Sequence, residues 1–239
     1  MKKLVIEQTK NYDKFNFLPF NRDYKPRTNL QESLIKYGWL DTVKCAMLDF
    51  YGKKKLYILD GQNRFATAMF MEMPIQYTVI DNKHIKTTVD LVNILAMYNA
   101  TGKPWKVEDF INAYCHLGYL DYQHLQRVRN KSNLSYFTLA GIYTGQIGNA
   151  DTKVIKNGNF KITRKENGNK IIAYLKQANN VIKFTNRMSM AFGGFVQSVG
   201  LSKFNNKKFC NNLAKSLPLL EDAIETIQYK KVFEKVYNK

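Results

Sequence analysis

Apolar residues run unbroken from Leu56 to Leu59, stop at Asp60-Gly61, and resume at helical spacing through Phe65, Ala66, Ala68 and Met69. This pattern predicts a strand, a sharp turn and a helix carrying Arg64 in its first turn. Before it, Leu30, Leu34 and Ile35 line one face of a helix that Thr28 or Asn29 can cap, with Glu32 at a capping-box position and Gly38 to end it. Val43, Ala46 and Leu48, then Gly52, three lysines and Leu56–Leu59, suit a hairpin. After it, Pro74 to Ile80 alternates and is β-branched, which predicts another strand, and Thr87 to Asn99 reads as a helix.

From Val107 onward the spacing is helical: Val107 to Leu117, Tyr122 to Val128, then Ser135 to Tyr143 after a polar turn at Asn130 to Asn133. Residues 144–169 are rich in Gly and Asn and read as turns near a domain boundary. Helical spacing returns over Ile171 to Phe184, Met188 to Val199, Phe209 to Leu217 and Leu219 to Tyr237. The expected fold is α+β: a mixed domain over 1–103, a helical module over 104–150 and a helical region over 151–239.

The 37 Lys and Arg against 19 Asp and Glu give a formal charge of +18, which favours an anionic partner, nucleic acid first and a membrane surface second. The last segment, 151–239, carries 17 of the basic and 6 of the acidic residues, and suits contact with a phosphate backbone, self-association into a homo-oligomer, or equally a plain helical scaffold with a solvated basic surface. No apolar run approaches the roughly 18 residues that cross a bilayer, and the first residues lack the long apolar stretch of a signal peptide, so a cytoplasmic protein is expected. Cys45, Cys115 and Cys210 are distant from one another, without CxxC pairing, and His84, His116 and His124 show no ligand spacing. Free thiols and no metal centre are expected.

Two stretches carry candidate chemistry. A helix starting after Gly61 exposes unpaired N–H groups and a positive dipole end, and Arg64 adds a forked donor for phosphate oxygens. The bland alternative makes Asp60 an N-cap and Arg64 an ordinary ion-pair partner. The pair of helices over 122–143 resembles a helix-turn-helix, in which Ser135 caps a second helix, with Tyr136 in its first turn, that would enter a major groove. Arg127, Arg129 and Lys131 would hold phosphates at the turn, or form a solvated basic edge.

Taken in order, Leu18-Pro-Phe-Asn21-Arg22, the helix Leu30-x-x-Ser33-Leu-Ile-x-x-Tyr-Gly38, and Asp60-Gly-Gln-Asn-Arg64 followed by a strand resemble the ParB/sulfiredoxin superfamily, specifically ParB-like N-terminal domains of phages and mobile elements. The resemblance covers about the first 130 residues. It implies that Gly61, Gln62, Asn63 and Arg64 hold the phosphates of CTP or another NTP with Mg2+, that Asn21 and Arg22 close the other side, and that a helix-turn-helix follows. Where ParB proteins have the motif GERR, whose glutamate is tied to hydrolysis, this chain has Gln62 and Asn63. Their second motif, ENxxR, survives only as Asn99, with Lys103 one residue off register and able to act only as a point charge. No cysteine occupies the first motif, against sulfiredoxin-type redox chemistry, and the DGQxR wording also resembles DGQHR proteins linked to DNA modification systems.

The expected function is that of a DNA-binding protein gated by nucleotide, acting in partition, regulation or DNA transactions of a phage or mobile element. A nuclease or nucleotide-dependent phosphotransferase with Asp60 as catalytic base or metal ligand is the alternative, and an inactive interaction protein a third. Paired carboxylates at metal spacing are missing from the sequence around Asp60, against the enzyme.

Overall fold

The computed structural model describes residues 5–50, 53–100, 104–148 and 151–239, and the chain is α+β. It divides into two compact units, 1–117 and 118–239.

The first unit is built on a five-stranded mixed sheet of β1 (Ile6–Thr9), β2 (Phe15–Phe17), β3 (Val43–Phe50), β4 (Lys53–Asp60) and β5 (Ile75–Val79), in the order β1-β5-β3-β4-β2. The pairs β1/β5 and β3/β4 are antiparallel, and β3/β5 and β2/β4 parallel. Its helices are α1 (Thr28–Tyr37), α2 (Gln62–Phe70), α3 (Thr88–Tyr98) and α4 (Val107–His116).

The run Leu56–Leu59 is buried residue after residue, as an interior strand requires, while Lys53 to Lys55 extend the same strand into solvent. Val43, Cys45, Ile58 and Ile75 form the fully buried floor of this unit, and Phe15 meets the rings of Phe65 and Tyr77 edge-on at 5.1 and 5.0 Å. Both Thr28 and Asn29 lie inside α1. Its cap is Arg27, whose extended backbone follows Pro26 and makes no side-chain capping bond, while Gly38 ends the helix as expected. Thr87 and Asp90 close a reciprocal capping box at the start of α3.

The second unit consists of α5 (Leu120–Ser132), α6 (Tyr136–Thr144), α7 (Thr152–Lys156), α8 (Lys165–Ala178), α9 (Asn186–Val199), α10 (Asn206–Ala214) and α11 (Thr226–Asn238). Phe192 is its aromatic hub, with the rings of Phe184, Phe204, Phe209 and Phe233 all within 6.0 Å. In α6 seven of nine residues, from Tyr136 to Tyr143, are buried.

The turn-rich reading of 144–169 is corrected at its far end, because α8 begins at Lys165 and takes in Gly168 and Asn169. Gly168 is there for space: a Cβ on it would lie 2.5 Å from Cδ1 of the Tyr143 ring. That ring is fully buried and reaches Asn169 Oδ1 with its hydroxyl at 2.8 Å. Among the described residues no helix is long and apolar enough to cross a membrane.

Replacing Gly168 with Ala is expected to force the Tyr143 ring from its seat and to cost about 1–3 kcal/mol, the usual penalty of overpacking. Urea unfolding of the two proteins checks this, and an unchanged midpoint contradicts it.

Candidate functional site

The strand-turn-helix at Asp60 forms the wall of a cleft of about 1010 Å³ contained within the first unit. Gly61 is the N-cap of α2 in a left-handed conformation, φ 91° and ψ 20°, so the chain turns from β4 into the helix in one residue. A Cβ at that position would lie 3.2 Å from Arg64 Nε and from the Val43 backbone. The first intrahelical bond is Phe65 N–H to Gly61 O at 2.8 Å. The N–H groups of Gln62, Asn63 and Arg64 therefore end the helix without an acceptor among the described residues, an arrangement that favours an anion.

Arg64 is gripped by two carboxylates, with Nη2 at 2.9 Å from Asp60 Oδ2 and Nη1 at 3.0 Å from Asp41 Oδ2. Its buried Nε has no partner among the described residues. The β3/β4 register slips between Lys44 and Cys45, and the bulge sets Lys44 opposite Asp60 at the cleft end of the sheet. Lys44 then donates to Asp41 Oδ1 at 2.8 Å. Burial alone would raise the Asp41 carboxyl, but the Lys44 hydrogen bond and the charges of Arg64 and Lys44 hold it below its ordinary value. The Tyr98 phenol is pushed up by burial and by the nearby Asp60 charge.

The opposite wall is the proline-bearing loop before α1, anchored by the buried Leu18 and Phe20 and tied to β4 and α2 by hydrogen bonds. Asn21 Nδ2 donates to Ile58 O at 3.1 Å, Lys25 N–H to Asn63 Oδ1 at 3.1 Å, and Arg27 N–H to Thr67 Oγ1 at 3.1 Å. This lashing places the Arg27 guanidinium over Asn63, with Nε 3.5 Å from Oδ1. Lys106, at the head of α4, completes the cationic side.

Of the residues read from the sequence, Asn21, Arg22, Asp60, Gly61, Gln62, Asn63, Arg64 and Asn99 all line this one cleft. Lys103 lies outside the described residues. The structure alters several roles. Arg22 is locked in a fork with Asp109, at 3.2 and 2.7 Å, and also reaches Pro104 O at 3.0 Å. Asp60 is neither the helix cap nor a free base, since Gly61 is the cap and the Asp60 carboxylate accepts from Arg64. Gln62 turns back to donate to Leu59 O at 3.2 Å, and Asn99 Nδ2 donates to Leu95 O at 2.8 Å.

Arg27, Asp41, Lys44 and Lys106 escaped the sequence reading. Arg27 and Lys106 shared a local sign, a cation one or two residues after a proline and immediately before a helix. Asp41 and Lys44 carried none, because the start of β3 meets the end of β4 and the head of α2 only in the folded sheet.

The second candidate site stands differently. Arg127 and Lys131 are exposed on α5, and Arg129 lies 6.0 Å over the Tyr136 ring. Ser135 caps α6 as expected, accepting from Thr138 N–H at 3.1 Å. Tyr136 is buried, however, and the apolar sides of α6 are consumed by α5, α8 and α9. As folded, α6 has no free face to lay in a groove, which corrects the expectation of a recognition helix.

The group implied by the family resemblance, a nucleoside triphosphate with Mg2+, divides into two parts here. Its phosphates fit the open N–H groups, the orphaned Arg64 Nε and the flanking Arg27 and Lys106. The metal finds less, since Asp41 and Asp60 are both spent on Arg64 and no cluster of three metal-ligating side chains occurs among the described residues. No protein-family model matches the chain, and no curated protein matches it.

Substituting Met for Arg64 is expected to raise the Asp41 carboxyl toward its ordinary value. In the native protein the stability this depressed carboxyl contributes is full above the ordinary carboxylate range and fades as pH falls through its lowered value. The variant loses that part of the acid-side dependence. Carboxyl 13C shifts followed through an acid titration report it, and a superimposable Asp41 curve contradicts it.

Proposed function

We propose that the protein is a ParB-like DNA-binding protein that holds the phosphates of a nucleotide in the α2 cleft, with binding rather than turnover as the event that matters. The observation that carries the reading is the convergence of three open backbone N–H groups at the head of α2 with the side chains of Arg27 and Lys106. An anion placed there gains from the helix end and from charge-assisted hydrogen bonds of about 1.5–3 kcal/mol each.

Arg64 is available at small cost. The Asp41 side chain is 47% exposed, and ion pairs so open to water are worth about 0.2–1 kcal/mol. A phosphate that offers Arg64 a better partner therefore outcompetes Asp41, and Lys44 remains to neutralise the released carboxylate. The same phosphate gives the helix end the acceptor it lacks.

DNA enters the reading through charge. Residues 118–239 contain 20 Lys and Arg against 7 Asp and Glu, so the second unit cannot neutralise itself internally. With α6 buried, contact falls to its outer basic faces, a mode that tracks phosphates.

Calorimetry with CTP, ATP, GTP and UTP, each with and without Mg2+, tests the cleft. At least one nucleotide should bind, and Arg27→Ala and Lys106→Ala should each weaken it about tenfold, equivalent to about 1.4 kcal/mol. Heat from none of the four overturns the nucleotide assignment. For DNA, affinity for a duplex should fall by orders of magnitude between low and moderate salt, and a flat salt dependence contradicts backbone contact.

A further inference from the structure

The second unit holds another cleft, of about 360 Å³, between α5, α6 and α8. Its interior is apolar, contributed by Val128, Leu134, Ile172 and Leu175. Among the described residues no carboxylate lines it. Exposed Lys131 and Lys176 stand at its rim, one from each flanking helix.

The amide side chains there have been turned into donors. Asn169 Oδ1 takes the Tyr143 hydroxyl at 2.8 Å, and Asn179 Oδ1 takes Phe184 N–H at 2.7 Å. Each leaves its Nδ2 group without an acceptor among the described residues. Beyond the cleft the positive charge continues: Arg127 lies one turn before Lys131 on α5, and Lys165 one turn before Asn169 on α8. Burial first, and then the charges of Lys165 and Arg127, lower the affinity of His124 for a proton, and His124 Nε2 bonds the same Tyr143 hydroxyl at 3.0 Å.

A ligand for this site needs a small flat apolar body, carbonyl-type acceptors on its edge and a negative charge beside it. We propose that the cleft receives an unpaired thymine-type base of a single-stranded nucleic acid, with the adjoining phosphates held by Lys131 and Lys176. The volume is at the small end of ligand pockets, suited to a base and too small for a folded partner. A thymine-type pyrimidine offers two carbonyl oxygens, one on each side of its ring N–H, to match two amide donors, whereas adenine has no carbonyl oxygen to offer. The cations running outward along both helices exceed what one free nucleotide uses, and follow a strand instead.

This rests on the nucleic-acid part of the reading above, and the experiment separates the two. Fluorescence anisotropy of the full chain is measured with three labelled DNAs: an oligothymidylate of about twelve nucleotides, an abasic strand of the same length, and a duplex. The oligothymidylate should bind at least about tenfold tighter than the abasic strand, a difference of about 1.4 kcal/mol for base insertion. Ile172→Phe, which fills the cleft, should bring that ratio near one.

The double variant Lys131→Gln/Lys176→Gln should weaken the oligothymidylate about tenfold, against about threefold or less for the equal charge loss in Lys207→Gln/Lys208→Gln on α10. Should Ile172→Phe unfold by circular dichroism, the two lysine pairs decide alone. Equal binding of thymidylate and abasic strands, or equal losses from the two pairs, overturns the site while duplex binding keeps the broader reading. Binding of neither strand nor duplex at low salt overturns both, and free thymidine monophosphate competing as well as the strand overturns the strand as occupant.

Discussion

One clasp ties the sheet of the first unit to the head of α2, the Arg64 guanidinium held between Asp60 and Asp41. Asp60 is the last residue of β4, Asp41 precedes β3, and Arg64 is in the first turn of α2. The clasp therefore joins the ends of two neighbouring strands to the helix that leaves one of them. It works only because Gly61 adopts a left-handed conformation that costs other residues roughly 1–2 kcal/mol. With no Cβ at position 61, the guanidinium lies directly against the turn. The same geometry leaves three helix N–H groups without an acceptor among the described residues, so the clasp and the open helix end have one cause.

That cause also explains what was legible in the sequence. Leu56 to Phe70 combines a buried strand, a glycine and a helix with Phe65, Ala66 and Ala68 inward, and each signal lies within a few residues of the next. The partners of the site were hidden because they are distant in sequence. Arg22 meets Asp109 across 87 positions, and Thr67 receives Arg27 N–H across 40. Local spacing cannot reveal that Arg22 is spent on a carboxylate, or that a hydroxyl buried in α2 sets the place of Arg27. The helix start at Lys165 was hidden for a different reason. Lys165 to Lys170 has the composition of a turn, and its helicity comes from tertiary packing, with Gly168 conceding space to Tyr143.

The second unit shows the limit of reading a helix pair as a DNA-binding device. Ser135 caps its helix as such a motif requires, and the turn after α5 is closed by Asn133 in a left-handed conformation. Yet the residues that make α6 a good helix, Leu139, Ala140, Ile142 and Tyr143, are the centre of a bundle. A recognition helix must keep one polar face outward, whereas α6 offers mostly apolar residues. Basic residues sit on α5, α8, α10 and α11 around it, which suits contact with phosphates over a broad surface rather than with base edges along one helix.

The two motif residues that differ from the ParB pattern bear on whether nucleotide would be consumed. The Gln62 amide is turned back onto Leu59 O, and Asn63 Oδ1 accepts Lys25 N–H and faces Arg27 Nε. Both side chains are tied into the walls of the cleft, and neither carries the carboxylate that a glutamate at this place would supply. A general base in their place would need a carboxylate aimed into the cleft, and Asp60, which lines it, already neutralises Arg64. Releasing Asp60 would leave a charge beside the Tyr98 phenol, which has no positive charge to offer in return. Of the two partners of Arg64, Asp41 is thus the more open to solvent and Asp60 the more enclosed.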